Sequence, residues 1–98
     1  MKPVNVMIEM EATGRNIRRI MAQRGVRVRD VQQACGIEQP QAVYKWLHGQ
    51  SLPSVDNLVI LSIVLNTTVE GILVTNEDAH PVIKYRDSET IVFQTAAA

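Results

Sequence analysis

The stretch VRDVQQACGIEQPQAVYKWLHG, residues 28–49, decides the fold. Residues 28–35 read as a short helix with Val31 and Cys35 facing inward, and Asp30 sits in its first turn, where a carboxylate suits the helix dipole. Gly36 ends this helix, because a residue without a Cβ enters the left-handed backbone of a sharp turn without penalty. Pro40 opens a second short helix, since a missing N–H is no loss at the first helical position. Val43, Trp46 and Leu47 form its apolar side, and Gly49 closes it. Trp46 is expected to be a core anchor, its ring supplying contact area while its indole N–H needs one partner.

Working outward, Thr13 is an expected N-cap, followed by Ile17, Ile20 and Met21 on one helical stripe that Gly25 stops. Arg15, Arg18, Arg19 and Arg24 fall largely outside that stripe. On the other side, residues 49–53 form a turn-rich connection, and Ser54 is placed to cap the apolar run of Leu58, Val59, Ile60, Leu61, Ile63, Val64 and Leu65. A buried strand competes for this run, but its length from the cap favours a central helix surrounded on most sides. Thr67 and Glu70 have capping-box spacing and start a last short helix that packs Val69, Ile72 and Leu73. Residues 82–85 and 90–93 can pair as a hairpin, which needs support from the domain or a second subunit. Val4, Val6 and Ile8 alternate in a short strand-like run.

The chain has 98 residues, 46% of them apolar, which suits one modest core. Its lone cysteine, Cys35, makes no internal disulfide, so a reducing, cytoplasmic setting is expected. No apolar stretch reaches the roughly 18 residues of a spanning helix, and the start shows no secretory leader, so no membrane partner is expected. Net charge is zero, yet it is segregated. Residues 13–48 carry seven arginines and lysines against Asp30 and Glu38, a formal +5, while the segments on either side are acidic. That asymmetry suits one basic face on an otherwise neutral protein.

Two short helices joined through Gly36, with an arginine-bearing helix before them and an apolar helix after, resemble the Cro/repressor-like (XRE) helix-turn-helix family. The residues that carry the resemblance are Val31 and Cys35, Gly36-Ile37, Val43-Tyr44-Lys45-Trp46 with Gly49, Leu52-Pro53, Val55-Asp56-Asn57-Leu58, and the ending at residues 65–73. It implies an all-α fold: a compact five-helix, lambda-repressor-like DNA-binding domain over residues 13–74, with an N-terminal arm at 1–12 and a C-terminal extension at 75–98 that has room for the hairpin. Two departures stand out. The family commonly has alanine where this chain has Gln32, and the spacing from Gly36 to Trp46 is one residue longer, enlarging the turn at residues 37–40. A larger turn either gives the glutamine room or tilts the following helix.

What the resemblance implies is a sequence-specific, double-stranded DNA-binding regulator, a repressor acting as a homodimer, whose third helix enters the major groove. Carried over by position, Gln39, Gln41 and Lys45 read base edges and Ala42 touches a thymine methyl. Arg15 and Arg19 on the first helix, Arg27 and Arg29 at the start of the second, and Tyr44 through its hydroxyl are the expected phosphate contacts. Residues 1–12 and 75–98 are the expected places for a dimer or protein contact. Two rivals stay open: a helical protein-interaction module that does not use DNA, and an antitoxin whose residues 80–95 take order only with a partner. No catalytic motif, metal-ligand set or cofactor loop is found in the sequence, and His48 and His80 read as surface residues.

Overall fold

The computed structural model describes residues 5–76; the expected hairpin at 82–85 and 90–93 lies outside them, as does residue Val4 of the strand-like run. Five helices follow in order: α1 (Met10–Arg24), α2 (Val28–Ala34), α3 (Gln41–Leu47), α4 (Val55–Val64) and α5 (Val69–Ile72). Their inward faces make one core of Ile17, Ile20, Met21, Val31, Val43, Trp46, Leu47, Leu58, Leu61, Leu65 and Ile72, with Cys35 and Ile37 packed at its edge. The helix expected over residues 58–65 forms, and the strand alternative is excluded.

Four of the helices stop by the same device. Gly25, Gly36, Gly49 and Asn66 take positive φ, and the residue after each folds its N–H back onto the helix: Val26 to Met21, Ile37 to Gln32, Gln50 to Lys45 and Thr67 to Ser62, at 2.9–3.0 Å. The pattern satisfies carbonyls that a helix end otherwise leaves bare. At the other ends, the Ser54 hydroxyl accepts from Asn57 N–H, as its position before α4 suggested. The Asp30 carboxylate accepts from Arg27 N–H at 2.8 Å and so secures the start of α2.

The structure corrects several local expectations. Helix α1 begins at Met10, not at Thr13, and Thr13 is buried within it. Its hydroxyl accepts from Val74 N–H at 3.0 Å and donates toward the Val74 carbonyl at 3.4 Å, so tertiary bonding has taken the group that looked like a cap. The start of the chain joins the same contact. Glu9 N–H donates to Val74 O, Asn76 N–H to Met7 O, and Ile8 bridges Thr75 in antiparallel fashion. Pro40 stands at the N-cap of α3, one residue before its first turn.

The last helix is capped by Thr68, whose hydroxyl accepts from Gly71 N–H at 2.9 Å, rather than by Thr67 and Glu70. Thr67 is still engaged in closing α4 through Ser62, which leaves Thr68 as the first residue free to cap. Helix α4 is less enclosed than its composition suggests. Val55 and Ile63 are 75% and 74% exposed, because α4 packs on α2 and α5 alone among the described helices.

The tightest approach in the fold lies between α1 and α3. A Cβ on Gly14 would stand 2.5 Å from the Trp46 carbonyl oxygen and 2.7 Å from that of Leu47, and a Cβ on Gly49 would stand 2.6 Å from Glu11 Cα. Two glycines therefore let the backbones of α1 and α3 touch, and this contact fixes where α3 lies.

Candidate nucleic-acid interface

Helix α3 is two-sided. At 100° per residue, Val43, Trp46 and Leu47 turn into the core, while Tyr44, His48, Gln41 and Lys45 follow one another round the opposite side, all exposed. Gln41 and Lys45 stand one turn apart at its centre. Tyr44 and His48 lie together on one side of them, with ring centroids 6.5 Å apart. His48 Nδ1 lies 2.8 Å from the Tyr44 carbonyl, which only accepts, so Nδ1 carries the hydrogen of this contact. Ala42 is half-buried at the edge of this face and packs against the core. Gln39 is exposed in the turn before the helix.

The basic residues divide by what they touch. Arg27 and Arg29 are exposed at the start of α2, and Arg27 makes a long 4.0 Å ion pair with Asp30. Arg15, Arg18 and Arg19 are exposed on α1. Glu11, Gly14 and Arg18 form one row along α1, and the first two meet the end of α3, which places Arg18 on the α3 side. Arg19 is turned the other way. Its guanidinium donates to Asn16 Oδ1 at 2.7 Å, and Asn16 in turn donates to the carbonyls of Gly71 and Ile72 on α5.

Arg24 has a structural task. It donates to the carbonyls of Leu65 at 3.0 Å and Asn66 at 3.3 Å, holding the negative end of α4. Arg24→Met, which keeps the aliphatic stem, is expected to lower stability by about 1 kcal/mol. Urea unfolding of the two proteins side by side checks this.

Cys35 is half-buried at the end of α2, and desolvation pushes its thiol pKa up, away from the thiolate that reactivity requires. Among the described residues no group of three or more His, Cys, Asp or Glu side chains is placed to hold a metal ion. None of the described helices is long and apolar enough to cross a membrane.

Of the residues that the resemblance singled out, Gln39, Gln41, Lys45, Tyr44, Arg15, Arg19, Arg27 and Arg29 are exposed. The resemblance did not single out His48 or Arg18. His48 shares the outward period of Gln41 and Lys45, a signal that was available; the place of Arg18 follows only from the glycine contact with α3.

No curated protein and no solved structure matches the chain. A family model described as helix-turn-helix matches residues 17–72, from the first buried isoleucine of α1 to the last residue of α5. With that match over more than half of its length, and with α2, the Gly36 turn and α3 in the order found, the chain belongs to the helix-turn-helix family of the XRE kind, that of DNA-binding regulators.

Proposed function

We propose that this protein is a sequence-specific repressor of transcription that lays α3 in the major groove of an operator and binds it as a homodimer. The observation that supports this reading best is the bare polar face of α3 beside exposed arginines on α1 and α2. A major groove admits one helix and offers each base pair a distinct set of donors and acceptors. In this reading Gln39, Gln41 and Lys45 contact base edges, glutamine pairing bidentately with adenine and lysine donating to guanine. Ala42 meets a thymine methyl, and His48 adds a polar ring at the far end of the face. Arg15, Arg18, Arg19, Arg27, Arg29 and the Tyr44 hydroxyl contact phosphates and set the register without reading sequence.

The DNA-binding unit proposed is residues 13–74 together with the first turn of α1. The arm at 1–12 and the extension at 75–98 are left for contacts with a second copy or a protein partner in the cytoplasm. Dimerisation is supported by operator geometry, since one such domain reads few base pairs and two-fold pairing doubles the contact. The exposed Val55, Val59 and Ile63 of α4 form an uncharged row, which can face its own copy without charge repulsion.

Selection of bound sequences from random duplex DNA at two salt concentrations tests the proposal. A preferred, two-fold symmetric site is expected, with affinity falling steeply with salt. Recovery of random sequence only would overturn it in favour of an interaction module. On the selected site, Lys45→Ala is expected to relax preference at one base-pair position, a loss of about 1–3 kcal/mol in discrimination. Arg18→Ala and Arg19→Ala should instead weaken all sequences alike and flatten the salt slope, Arg18 by more because it stands on the α3 side. Identical profiles for lysine and arginine variants would refute this division of roles.

A further inference from the structure

The turn between α2 and α3 is tied twice to one residue of α2. The Gln32 backbone carbonyl accepts from Ile37 N–H at 3.0 Å, and the Gln32 side-chain Nε2 donates to the Glu38 carbonyl at 2.8 Å. Two consecutive residues of the turn are thus tied to the same point on α2. From there the chain passes through exposed Gln39 to Pro40, whose carbonyl accepts from Tyr44 N–H at 3.1 Å and begins the ladder of α3. Gln32 as a residue is half-buried, and the hydrogen bond from its amide to Glu38 lies on the exposed side of the turn. The two peculiarities of this stretch, a glutamine on α2 and a turn with one residue more, are two ends of one hydrogen bond. An alanine at position 32 has no donor to offer the Glu38 carbonyl.

We infer that Gln32 is a positioning residue: it fixes how the start of α3 is presented and so determines how sharply Gln39 and Gln41 discriminate between bases. The inference rests on the reading of α3 as the groove helix. Gln39 follows Glu38 directly and Gln41 lies three residues on, whereas Lys45 is a further turn away. Loosening the turn therefore disturbs the first two more than the third.

Three substitutions separate the hydrogen bond from the space it occupies. Gln32→Met keeps length and volume and removes the donor. Gln32→Glu keeps the shape but sets a carboxylate, an acceptor only, against a carbonyl. Gln32→Lys restores an N–H donor on a flexible chain one atom longer. On the selected DNA site, the Met and Glu variants are expected to lose about three- to tenfold in discrimination at the base pairs facing Gln39 and Gln41, with less change opposite Lys45. The Lys variant should recover most of it.

Without DNA, backbone amide relaxation should show lower order parameters over residues 37–41 in the Met and Glu variants, with cooperative unfolding retained. Unchanged order in Gln32→Met, or a Gln32→Lys as impaired as Gln32→Met, would overturn the inference by showing that packing, not the bond, matters. A wild-type chain that selects no sequence overturns the groove reading and the inference together. A wild-type chain whose preferred site Gln32→Met reads without loss overturns the role of Gln32 alone.

Discussion

Gly14→Ala is expected to lower the unfolding free energy by about 2–4 kcal/mol, against the ordinary trend for helices. At a solvent-facing helical site, replacing glycine by alanine stabilises by about 1 kcal/mol, because the unfolded chain loses freedom and the helix gains a better former. Here the new methyl would meet the carbonyl oxygens of Trp46 and Leu47 at 2.5 and 2.7 Å, and both are backbone atoms of α3 and its end. A side chain can swing aside; a hydrogen-bonded helix end has to move whole. The variant should therefore push α3 outward, lowering both the urea midpoint and the affinity for a selected DNA site. A Gly14→Ala protein as stable as the wild type, or more so, would show that α1 and α3 do not approach this closely.

Gly49→Ala is expected to cost about 3 kcal/mol, from two independent sources. Its φ of +73° places an L-residue in the left-handed region, at roughly 1–2 kcal/mol, and its Cβ would lie 2.6 Å from Glu11 Cα and 3.0 Å from Glu11 N, which adds a backbone clash. The protein contains its own controls. Gly25 and Gly36 have nearly the same φ, +70° and +68°, but among the described residues nothing lies within 4 Å of a Cβ built on either. Their alanine variants should lose only the conformational part, about 1 kcal/mol. Urea unfolding of the three variants side by side isolates the clash as the excess at position 49. Equal losses at all three would mean that conformation alone accounts for the effect.

The core was legible in the sequence because helical periodicity is a local property. Ile17, Ile20 and Met21, or Val43, Trp46 and Leu47, announce their stripe within two turns, and each of them is buried. What escaped was decided at a distance. Thr13 stands before an apolar run as a cap does, but its hydroxyl answers to Val74, 61 residues away. Thr67 and Thr68 are adjacent and chemically alike, and only the left-handed Asn66 before them determines which one is free. Gly14 carries no local signal, since a glycine inside a helix is read as a weakness until the neighbouring helix is known. The apolar run of α4 suggested enclosure, yet composition does not count neighbours.

The same distinction holds at the candidate interface. Exposure of Gln41 and Lys45 follows from their period against Trp46 and was legible in the sequence. Arg18 and Arg19 are indistinguishable in sequence, adjacent and outside the stripe, and are separated only by the α3 contact on one side and Asn16 on the other. Gln32 and the longer turn stood out as two separate departures. Their connection is a side-chain hydrogen bond, which no spacing rule reports.

The paired segments at residues 7–9 and 74–76 bring the two ends of the helical unit to one place and give them a common fate. Fraying of either end has to release the other, since Glu9 and Thr13 both hold Val74. A binding event that drew Val74 away would slacken the beginning of α1, the helix whose arginines stand nearest to it in the chain. Whatever engages the sequence beyond residue 76 thus has a short mechanical route to the start of α1, through the Thr13 hydroxyl and the bonds that Met7 and Glu9 make to residues 74–76.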